Sequence, residues 1–559
     1  MAKKTSLIKQ IVDALIKQQP QTQTEILAIK RQMAKQQKIP MVTNSQLLAV
    51  LPNNPVGLVL KRLLRKRAIR TMSGIAPLAV LTKPFACPGH CVYCPTEKNV
   101  PQSYLSNEPA VMRAIHCNYN PAKQVAYRLQ ALEANGHEPT KIELIVIGGT
   151  WSSFPAQYKY WYIASCLAAA NHYGKLRPVK LLPLHSSLQT LQAWLKREQN
   201  KNTKTKYRII GLTLETRPDY IKPQELEQMR ELGCTRVEIG VQAIDDEILK
   251  LNKRGSTVAD IIQATKLLKD YGFKVTYHFM PALPGSSPQK DLRMFQAMFT
   301  PLPQLATVSL PPDKINITKI KQLIRQPVAN NNFNPDQIKF YPTVVTKGSL
   351  LYQWWRQGKY KPYTDQALRQ LIIKCKAIIP PFVRVIRLIR DIPGESIMAG
   401  NRITNLRQIM HSQGLVCQCI RCREAKDQKF KLADLKLMVS KYQASQGNEY
   451  FISFESKDQA TLYGFARLRL SQNQPAQLQG QALLRELHVY GELISVGQKG
   501  TTQHVGLGKR LMAIAEQIAL LSNYKEMAII SGVGVRDYYA KLGYKLKLTY
   551  MVKTFTNKQ

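Results

Sequence analysis

The stretch Cys87-Pro88-Gly89-His90-Cys91-Val92-Tyr93-Cys94 places three cysteines in a C-x3-C-x2-C arrangement. That spacing suits three thiolates wrapped around one corner of a cubane iron–sulfur cluster. Four irons and three cysteines leave one iron without a protein ligand, open to the amino and carboxylate groups of S-adenosylmethionine. A reduced [4Fe-4S] cluster then passes an electron into the sulfonium and releases a 5′-deoxyadenosyl radical. The cofactor carries that chemistry, and the protein positions and shields it. The other chemistry open to these residues is a structural zinc site, with His90, His116 or Cys117 as fourth ligand. Zinc knots usually show two ligand pairs, and no second C-x2-C lies nearby.

A second chemical pattern stands near the C-terminal end. Gln503-His504-Val505-Gly506-Leu507-Gly508 follows a strand-like run, Leu483–Tyr490, and opens a helical run, Lys509–Leu521. A Q-x-x-G-x-G turn at a helix start gathers several N–H groups around a diphosphate, with the helix dipole in support. Tyr538 and Tyr539 fall on a later helix, Val535–Lys541. A phenol there can donate a proton to a group bound at the turn; aromatic packing is the plainer role. A third pattern, Cys417-Gln418-Cys419-Ile420-Arg421-Cys422, lies between these two regions. Three thiolates need one more ligand for tetrahedral zinc, and His411 is the nearest imidazole. A second iron–sulfur cluster or unligated thiols are the other readings of that triplet.

The elements that must position these groups show two regimes. From Pro77, β-branched runs (Leu78–Leu81, Ile142–Ile147, Ile209–Leu214, Val237–Val241, Val275–Phe279, Ile338–Tyr341) alternate with helical runs (Ala122–Ala134, Lys159–Ala170, Pro223–Glu231, Val258–Tyr271, Gln289–Phe299). This alternation predicts a parallel sheet with crossover helices. With about six βα units the sheet is a partial (β/α)6 barrel, open on one side. Functional loops of such sheets lie past the carboxyl ends of the strands. The cysteine loop follows the first strand there. Gly148-Gly149-Thr150 ends the second, Glu215 the third, Gln242 the fourth, and His278 and Met280 the fifth. Residues 171–206 and 301–336 read as irregular surface insertions. From about Tyr450 the pattern becomes α+β, with Tyr450–Glu455 and Thr461–Leu470 as adjoining antiparallel strands.

Among 559 residues, 80 Lys+Arg face 36 Asp+Glu, a net charge of +44. A field of that size and single sign concentrates polyanions, nucleic acid before an anionic membrane. Residues 1–70 carry fourteen of the bases against Asp13 and Glu25, and read as amphipathic helices around Ile8–Ile16 and Ile26–Met33. Lys61, Arg62, Arg65, Lys66, Arg67 and Arg70 form the densest group, with Arg62, Lys66 and Arg70 on one face at helical spacing. A phosphate-binding arm is expected there, and such contacts position RNA without reading its sequence. No secretory signal pattern and no apolar run of about 18 residues is present, so no membrane span is expected. Ten cysteines, six of them in two triplets, fit a reducing cytoplasm and metal rather than disulfides.

Taken with Ile75-Ala76-Pro77, Lys141–Thr150, Leu214–Asp219, Arg390-Asp391-Ile392-Pro393, Glu486-Leu487-His488-Val489 and Ser531-Gly532-Val533-Gly534, the chain resembles the catalytic acetyltransferase/radical SAM subunit of Elongator in its single-chain prokaryotic form. The likeness runs from about residue 60 to the end. Eukaryotic members have a longer gap between the first two cysteines, which leaves the ligand count intact. The resemblance implies a basic helical tRNA-binding arm (1–76), a radical SAM domain (77–390), a linker with a zinc site (391–440) and a GNAT-type acetyltransferase domain (441–559). It also implies carboxymethyl transfer to carbon 5 of uridine 34 of tRNA, using acetyl-CoA and S-adenosylmethionine. Gly148, Gly149, Thr150, Glu215 and Gln242 are then the expected S-adenosylmethionine contacts. Lys141, Glu486, Leu487, His488, Val489, Thr502, Gln503, His504, Gly506, Gly508 and Tyr539 are the expected acetyl-CoA contacts. An electron donor and a second copy in a homodimer are the remaining expected partners. The rival reading is a protein lysine acetyltransferase with a structural cluster, which the positive charge disfavours because lysine-rich tails would be repelled.

Overall fold

The computed structural model describes residues 2–66, 74–175, 179–403, 406–412, 414–425, 430–491 and 506–555, apart from the side chains of Ala2, Lys3 and His411. Seven strands, Ala76–Leu81, Lys141–Ile147, Arg208–Thr216, Arg236–Gln242, Lys274–Phe279, Gln337–Phe340 and Arg384–Arg387, lie side by side in chain order. Every neighbouring pair is parallel, and the first and seventh strands are not joined. The result is an open half-barrel. The six expected strands are all present. The seventh escapes a sequence reading because Arg-Val-Ile-Arg offers only two apolar residues.

Local chemistry explains where the crossover helices begin. Pro121–Ala134 starts on a proline, whose missing N–H costs nothing at that position, behind Asn120, which accepts from the Lys123 N–H. Val258–Asp270 starts on a reciprocal capping box between Thr257 and Asp260. Along Lys141–Ile147, Ile142, Leu144 and Val146 are buried towards the helices, and Glu143, Ile145 and Ile147 face the barrel lumen.

A second sheet of eight strands caps the amino-terminal mouth of this barrel. Its order is Lys545–Lys547, Tyr550–Thr554, Glu526–Ile529, Gln481–Val489, Leu462–Leu470, Gly447–Ser456, Leu435–Ala444 and Ala306–Leu310. Two expectations change here. The sheet begins at Leu435, inside the region expected to be linker. The stretch 301–336 is no surface loop: Ala306–Leu310 pairs antiparallel with Leu435–Ala444, and helix Ile317–Arg325 buries Ile320 and Leu323. Asn and Pro at its ends hid five residues of alternating pattern. The stretch 171–206 likewise holds a helix, Leu188–Asn202, capped by Ser187.

The N-terminal segment is a small domain rather than a bare arm. Helices Ala2–Gln18, Gln23–Gln36, Asn44–Leu48 and Pro55–Leu64 share a core of Leu7, Ile11, Leu15, Ile26, Leu47, Leu60 and Leu64. The last helix ends at Leu64, because Arg65 takes an extended ψ of 120°. Lys66 therefore does not continue the helical face of Arg62; Arg67 and Arg70 lie outside the described residues. The chain instead turns onto the barrel, where Arg65 Nε donates to Gly136 O at 3.1 Å and Lys66 O meets His137 Nε2 at 3.0 Å.

Barrel and second sheet are locked by buried charge. Asp336, just ahead of the sixth barrel strand, accepts from Arg485 at 2.5 Å and stands 3.4 Å from Lys269. Arg485 also reaches Glu449 at 2.9 Å, and Arg469 bridges Glu449 and Asp270 at 3.1 and 2.7 Å. All six side chains are at most 2% exposed. Burial opposes the charge of Asp336 and Glu449, but Arg485 and Lys269 outweigh it and hold both carboxyls below their usual range. Their stabilisation is therefore complete above the ordinary carboxylate pKa of about 4 and is lost as pH falls through the lowered values. Asp336→Asn leaves Arg485 and Lys269 buried against a neutral partner and is expected to cost about 3–5 kcal/mol. Urea unfolding at pH 7 should show that lowered midpoint, with the gap to wild type narrowing below about pH 4. An unchanged midpoint would mean that these charges do not hold the interface.

Candidate functional site

The cysteine loop leaves the first barrel strand at its carboxyl end and is pinned from both sides. Val92 N–H donates to Asn252 O at 3.1 Å, and Val92 O accepts from Leu351 N–H at 2.8 Å. Cys94 N–H donates to Cys91 O at 3.2 Å, and Gly89 N–H points at Cys87 Sγ at 3.4 Å. Arg254, buried and anchored on Gly240 O at 2.6 Å, directs Nη1 at Cys91 Sγ, 3.6 Å away. A hydrogen bond from Cys94, and then the Arg254 charge, pull the Cys91 thiol well below its ordinary value against the effect of burial.

Two cysteine triplets of different geometry are present. Among the described residues, the Cys417, Cys419 and Cys422 sulfurs form the one three-ligand group in which all ligand atoms lie within 4.8 Å of each other. A single tetrahedral zinc with bonds near 2.3 Å brings its sulfurs to about 3.8 Å. The Cys87, Cys91 and Cys94 sulfurs are not gathered so closely, as befits thiolates meant for three different irons. The side chain of His411 lies outside the described residues. Lys376 Nζ and Arg407 Nη1 stand 3.8 and 3.7 Å from Cys422 Sγ, cations that favour the thiolate form of that sulfur.

Around the cysteine loop the strand ends converge as expected. Thr150 Oγ1 is 3.9 Å from Cys87 Sγ. Gly148 has φ +132°, and a Cβ there would overlap the Thr82 hydroxyl. Gly149 has φ +107° and faces open space in the cavity. Glu215 accepts from Tyr104 OH at 3.1 Å. Gln242 adopts φ +67°, and among the described residues neither its buried Oε1 nor Arg217 Nη1 has a hydrogen-bond partner. Both orphaned groups line the same cavity as the cysteines. An open glycine cradle with an unused buried donor and acceptor fits a polar zwitterion such as the methionine part of S-adenosylmethionine.

That cavity, about 950 Å³, is the barrel lumen, and it continues from the cysteine loop to Glu486, His488 and Tyr490 of the second sheet. Its wall carries a chain of charges that a reading of strand ends alone does not find. His278 Nδ1 is 3.6 Å from Glu215, and His278 Nε2 meets Glu238 at 2.8 Å. Glu238 also contacts Lys339. Arg236 bridges Glu143 at 3.0 Å and Gln337 at 3.2 Å. Burial opposes the Glu238 charge, but Lys339, His278 and Arg236 keep it well below the usual carboxylate range. The available sequence signal was polar residues at every second position of otherwise apolar strands, as in Arg236-Val237-Glu238 and Gln337-Ile338-Lys339.

At the far end, Lys274 Nζ, from the start of the fifth barrel strand, reaches Glu486 at 3.4 Å, and Arg467 donates to it at 2.9 Å. Against burial, these two cations bring Glu486 down to about 2. Burial lowers His488 to about 4, so it is neutral at pH 7. Strand Gln481–Val489 pairs in parallel with Glu526–Ile529 only as far as Leu484 and Ile529, and beyond that point the two separate. Helix Leu507–Leu521 begins at Gly506, φ +75°. A Cβ on Gly508 would stand 2.8 Å from Tyr538 OH and 3.8 Å from Val489. Tyr538 is thus the phenol beside the glycine turn. Tyr539 is 7% exposed in the core, its ring 5.2 Å from that of Tyr538, and burial raises its pKa. Leu487 sits on the same strand end; Lys141 is half-buried at the start of the second barrel strand, its pKa lowered by burial. Thr502, Gln503 and His504 lie outside the described residues. No described helix is long and apolar enough to cross a membrane.

Comparison with known proteins agrees with this geometry. The radical SAM superfamily model matches residues 83–296, and the Radical_SAM C-terminal domain model matches residues 335–413. The half-barrel with its cysteine loop is therefore that of a radical SAM enzyme, a class that implies a [4Fe-4S] cluster and S-adenosylmethionine. The tRNA uridine(34) acetyltransferase of Dehalococcoides mccartyi is 41% identical over 87% of this chain and 99% of its own length. That of Methanocaldococcus infernus is 38% identical over 98% and 99%. Human Elongator complex protein 3 is 36% identical over 89% and 87%. The solved structure of archaeal Methanocaldococcus infernus Elp3 lacking residues 1–46 superposes with a TM-score of 0.68 at 35% identity, covering 86% of this chain and 99% of that one. The chain belongs to the family of tRNA uridine(34) acetyltransferases and Elongator complex protein 3.

Removing one thiolate from the loop should remove the cluster and little else. Cys91→Ala, reconstituted with iron and sulfide, is expected to lose its bound iron and visible absorbance while its far-UV circular dichroism matches wild type. Full iron content in that variant would reassign the cluster to other ligands.

Proposed function

We propose that this protein installs a carboxymethyl group on carbon 5 of the wobble uridine of tRNA, taking the two-carbon unit from acetyl-CoA. The observation that supports this most strongly is the single lumen with one candidate cofactor site at each end. Carbon 5 of uracil is an unactivated vinylic carbon, poorly suited to ordinary acyl transfer. When bound, the cluster and S-adenosylmethionine supply one-electron chemistry able to break an unactivated C–H bond, here in the acetyl methyl group.

In this reading Cys87, Cys91 and Cys94 hold the cluster, while Arg254 steadies the Cys91 thiolate. Gly148, Gly149, Thr150, Glu215 and Gln242 hold S-adenosylmethionine at the cluster mouth. Gly506 and Gly508 let the helix start receive the diphosphate of coenzyme A, completed by Thr502, Gln503 and His504. The strands that part after Leu484 and Ile529 admit the pantetheine arm between them. Glu486–Val489 line the thioester end, Lys141 adds a cation at the barrel start, and Tyr538 and Tyr539 orient the carbonyl or sulfur. The lumen wall keeps bulk water from the reacting carbon. Once that carbon is joined to uridine, the carbon 5 hydrogen leaves as a proton and one electron passes to an acceptor. A single water then hydrolyses the thioester, releasing the coenzyme A thiol and leaving the carboxylate.

Three further roles complete the proposal. Cys417, Cys419 and Cys422 bind zinc with His411 as fourth ligand, supported by the close spacing of the three sulfurs. The zinc ties the chain between the seventh barrel strand and the second sheet. The basic residues Lys61, Arg62, Arg65, Lys66, Arg67 and Arg70 guide tRNA by phosphate contacts. A cytoplasmic electron donor reduces the cluster, consistent with cysteines that form no disulfide among the described residues.

The direct test is incubation with tRNA, acetyl-CoA, S-adenosylmethionine and reductant, followed by mass analysis of nucleosides. Carboxymethyluridine is the expected product; acetylated lysine peptides without it would favour the protein-acetylation reading. A coupled enzyme guards its thioester until the acceptor base arrives. Thiol release from acetyl-CoA is therefore expected to rise at least several-fold with tRNA, and Tyr539→Phe to blunt that rise without changing tRNA affinity. Equal release with and without tRNA would contradict the coupling.

A further inference from the structure

Beside the cluster loop, and apart from every residue assigned above, lies a second concavity of about 440 Å³, within the size range of small-ligand pockets. Trp354, Tyr360 and Tyr363 form its aromatic side, and Leu251, still 45% exposed, its opposite lip. Both phenols are tied inward: Tyr360 OH donates to Ala282 O at 2.7 Å and Tyr363 OH to Asp291 at 2.9 Å. Asp291 also accepts from the Ala282 N–H and the Ser286 hydroxyl, at 2.8 and 2.5 Å. Its charge is thus used internally. Ring surfaces, not hydroxyls, are what the groove offers. Trp354 is half-buried and, among the described residues, stacks on no other ring.

The rim is cationic. Lys359 and Lys361 line the groove and are exposed, Lys250 and Lys253 flank Leu251 in solvent, and no acidic residue is among the lining groups. The position is also specific. Asn252, next to Leu251, accepts from Val92 of the cysteine loop, and its side chain donates to Pro284 O at 2.9 Å. Leu351, in the helix that carries Trp354, donates to the same Val92. Both walls of the groove are therefore one hydrogen bond from the loop that holds the cluster.

We propose that this groove receives an unpaired RNA base next to the nucleotide that enters the lumen, stacked on Trp354 with its phosphates on Lys359 and Lys361. Flat aromatic recesses with cations at the edge bind single strands, because every base has a π-face and every link a charge. An acidic protein surface would answer the lysines but leave the aromatic recess unfilled. The inference rests on the reading that tRNA is the substrate.

The test uses the full chain and two labelled RNAs, an unmodified anticodon stem-loop and a fully paired duplex of equal length, with affinity measured across a salt series. Trp354→Ala is expected to weaken stem-loop binding roughly tenfold and to leave duplex binding unchanged; Trp354→Phe should restore most of the loss. Lys359→Ala/Lys361→Ala should flatten the slope of log affinity against log salt by about 1.4, two single-strand phosphates. Wild-type stem-loop affinity in Trp354→Ala, or a wild-type slope in the lysine variant, overturns the proposal. So does a loss confined to binding of an acidic ferredoxin, which would make the groove a protein-docking face. Nucleoside analysis of the wild type keeps the two readings apart. Trp354-dependent RNA binding without carboxymethyluridine supports the groove and removes the reaction. Carboxymethyluridine formation with unaltered binding in Trp354→Ala does the reverse.

Discussion

The structure depends on the buried ion cluster around Asp336, Glu449, Arg469 and Arg485. Charges at most 2% exposed are tolerable only when each meets an opposite charge at close range. The partners come from both halves of the chain: Asp336, Lys269 and Asp270 from the barrel, Glu449, Arg469 and Arg485 from the second sheet. Neither half can bury its share alone. The cluster therefore fixes one seating of the sheet over the barrel mouth, where an apolar contact of the same area would tolerate sliding. Arg485 occupies the irregularity between Glu486 and Leu484 in the pairing with Leu462–Leu470. That irregularity turns Arg485 towards Asp336 and leaves Glu486 facing the lumen.

That seating joins the cysteine loop and the Glu486–His488 strand end in one cavity. Arg467 donates to Phe382 O and Arg485 to Phe273 O, both at 2.6 Å, so the starts of barrel strands are gripped by the second sheet. Gly532 packs so closely on the Ile210 carbonyl that any Cβ would overlap it. A parallel barrel normally offers its carboxyl edge for chemistry and its amino edge for stability. Here the amino edge also opens on a polar end, Glu486 and His488, and the lumen between is lined by paired charges rather than packed with apolar side chains.

Much of this was legible in the sequence, for identifiable reasons. Three cysteines at C-x3-C-x2-C, glycines at a strand end and alternation of strand and helix are local patterns, and each appears where the pattern put it. Six barrel strands with apolar centres were found; Arg384–Arg387 was too short and too charged. The edge strand Ala306–Leu310 was missed because its partner, Leu435–Ala444, is more than a hundred residues away, and nothing local reveals such a pairing. Arg254 carried no signal either, since its partner Cys91 is brought to it only by the fold. The face of Arg62, Lys66 and Arg70 was drawn on a helix that stops at Leu64, and helix ends are the least legible feature of a basic run. Tyr538 and Tyr539 were both placed on the right helix, but adjacent residues on a helix point about 100° apart, and only packing shows which phenol meets Gly508.

The central claim is that the two ends of the lumen serve one reaction. The most direct measurement follows the hydrogen: acetyl-CoA deuterated in its methyl group is turned over with S-adenosylmethionine, reductant and tRNA, and the 5′-deoxyadenosine formed is weighed by mass spectrometry. The account predicts deuterium in 5′-deoxyadenosine and its loss from the carbon joined to uridine. Unlabelled 5′-deoxyadenosine alongside a modified nucleoside that retains all three deuterium atoms would contradict it.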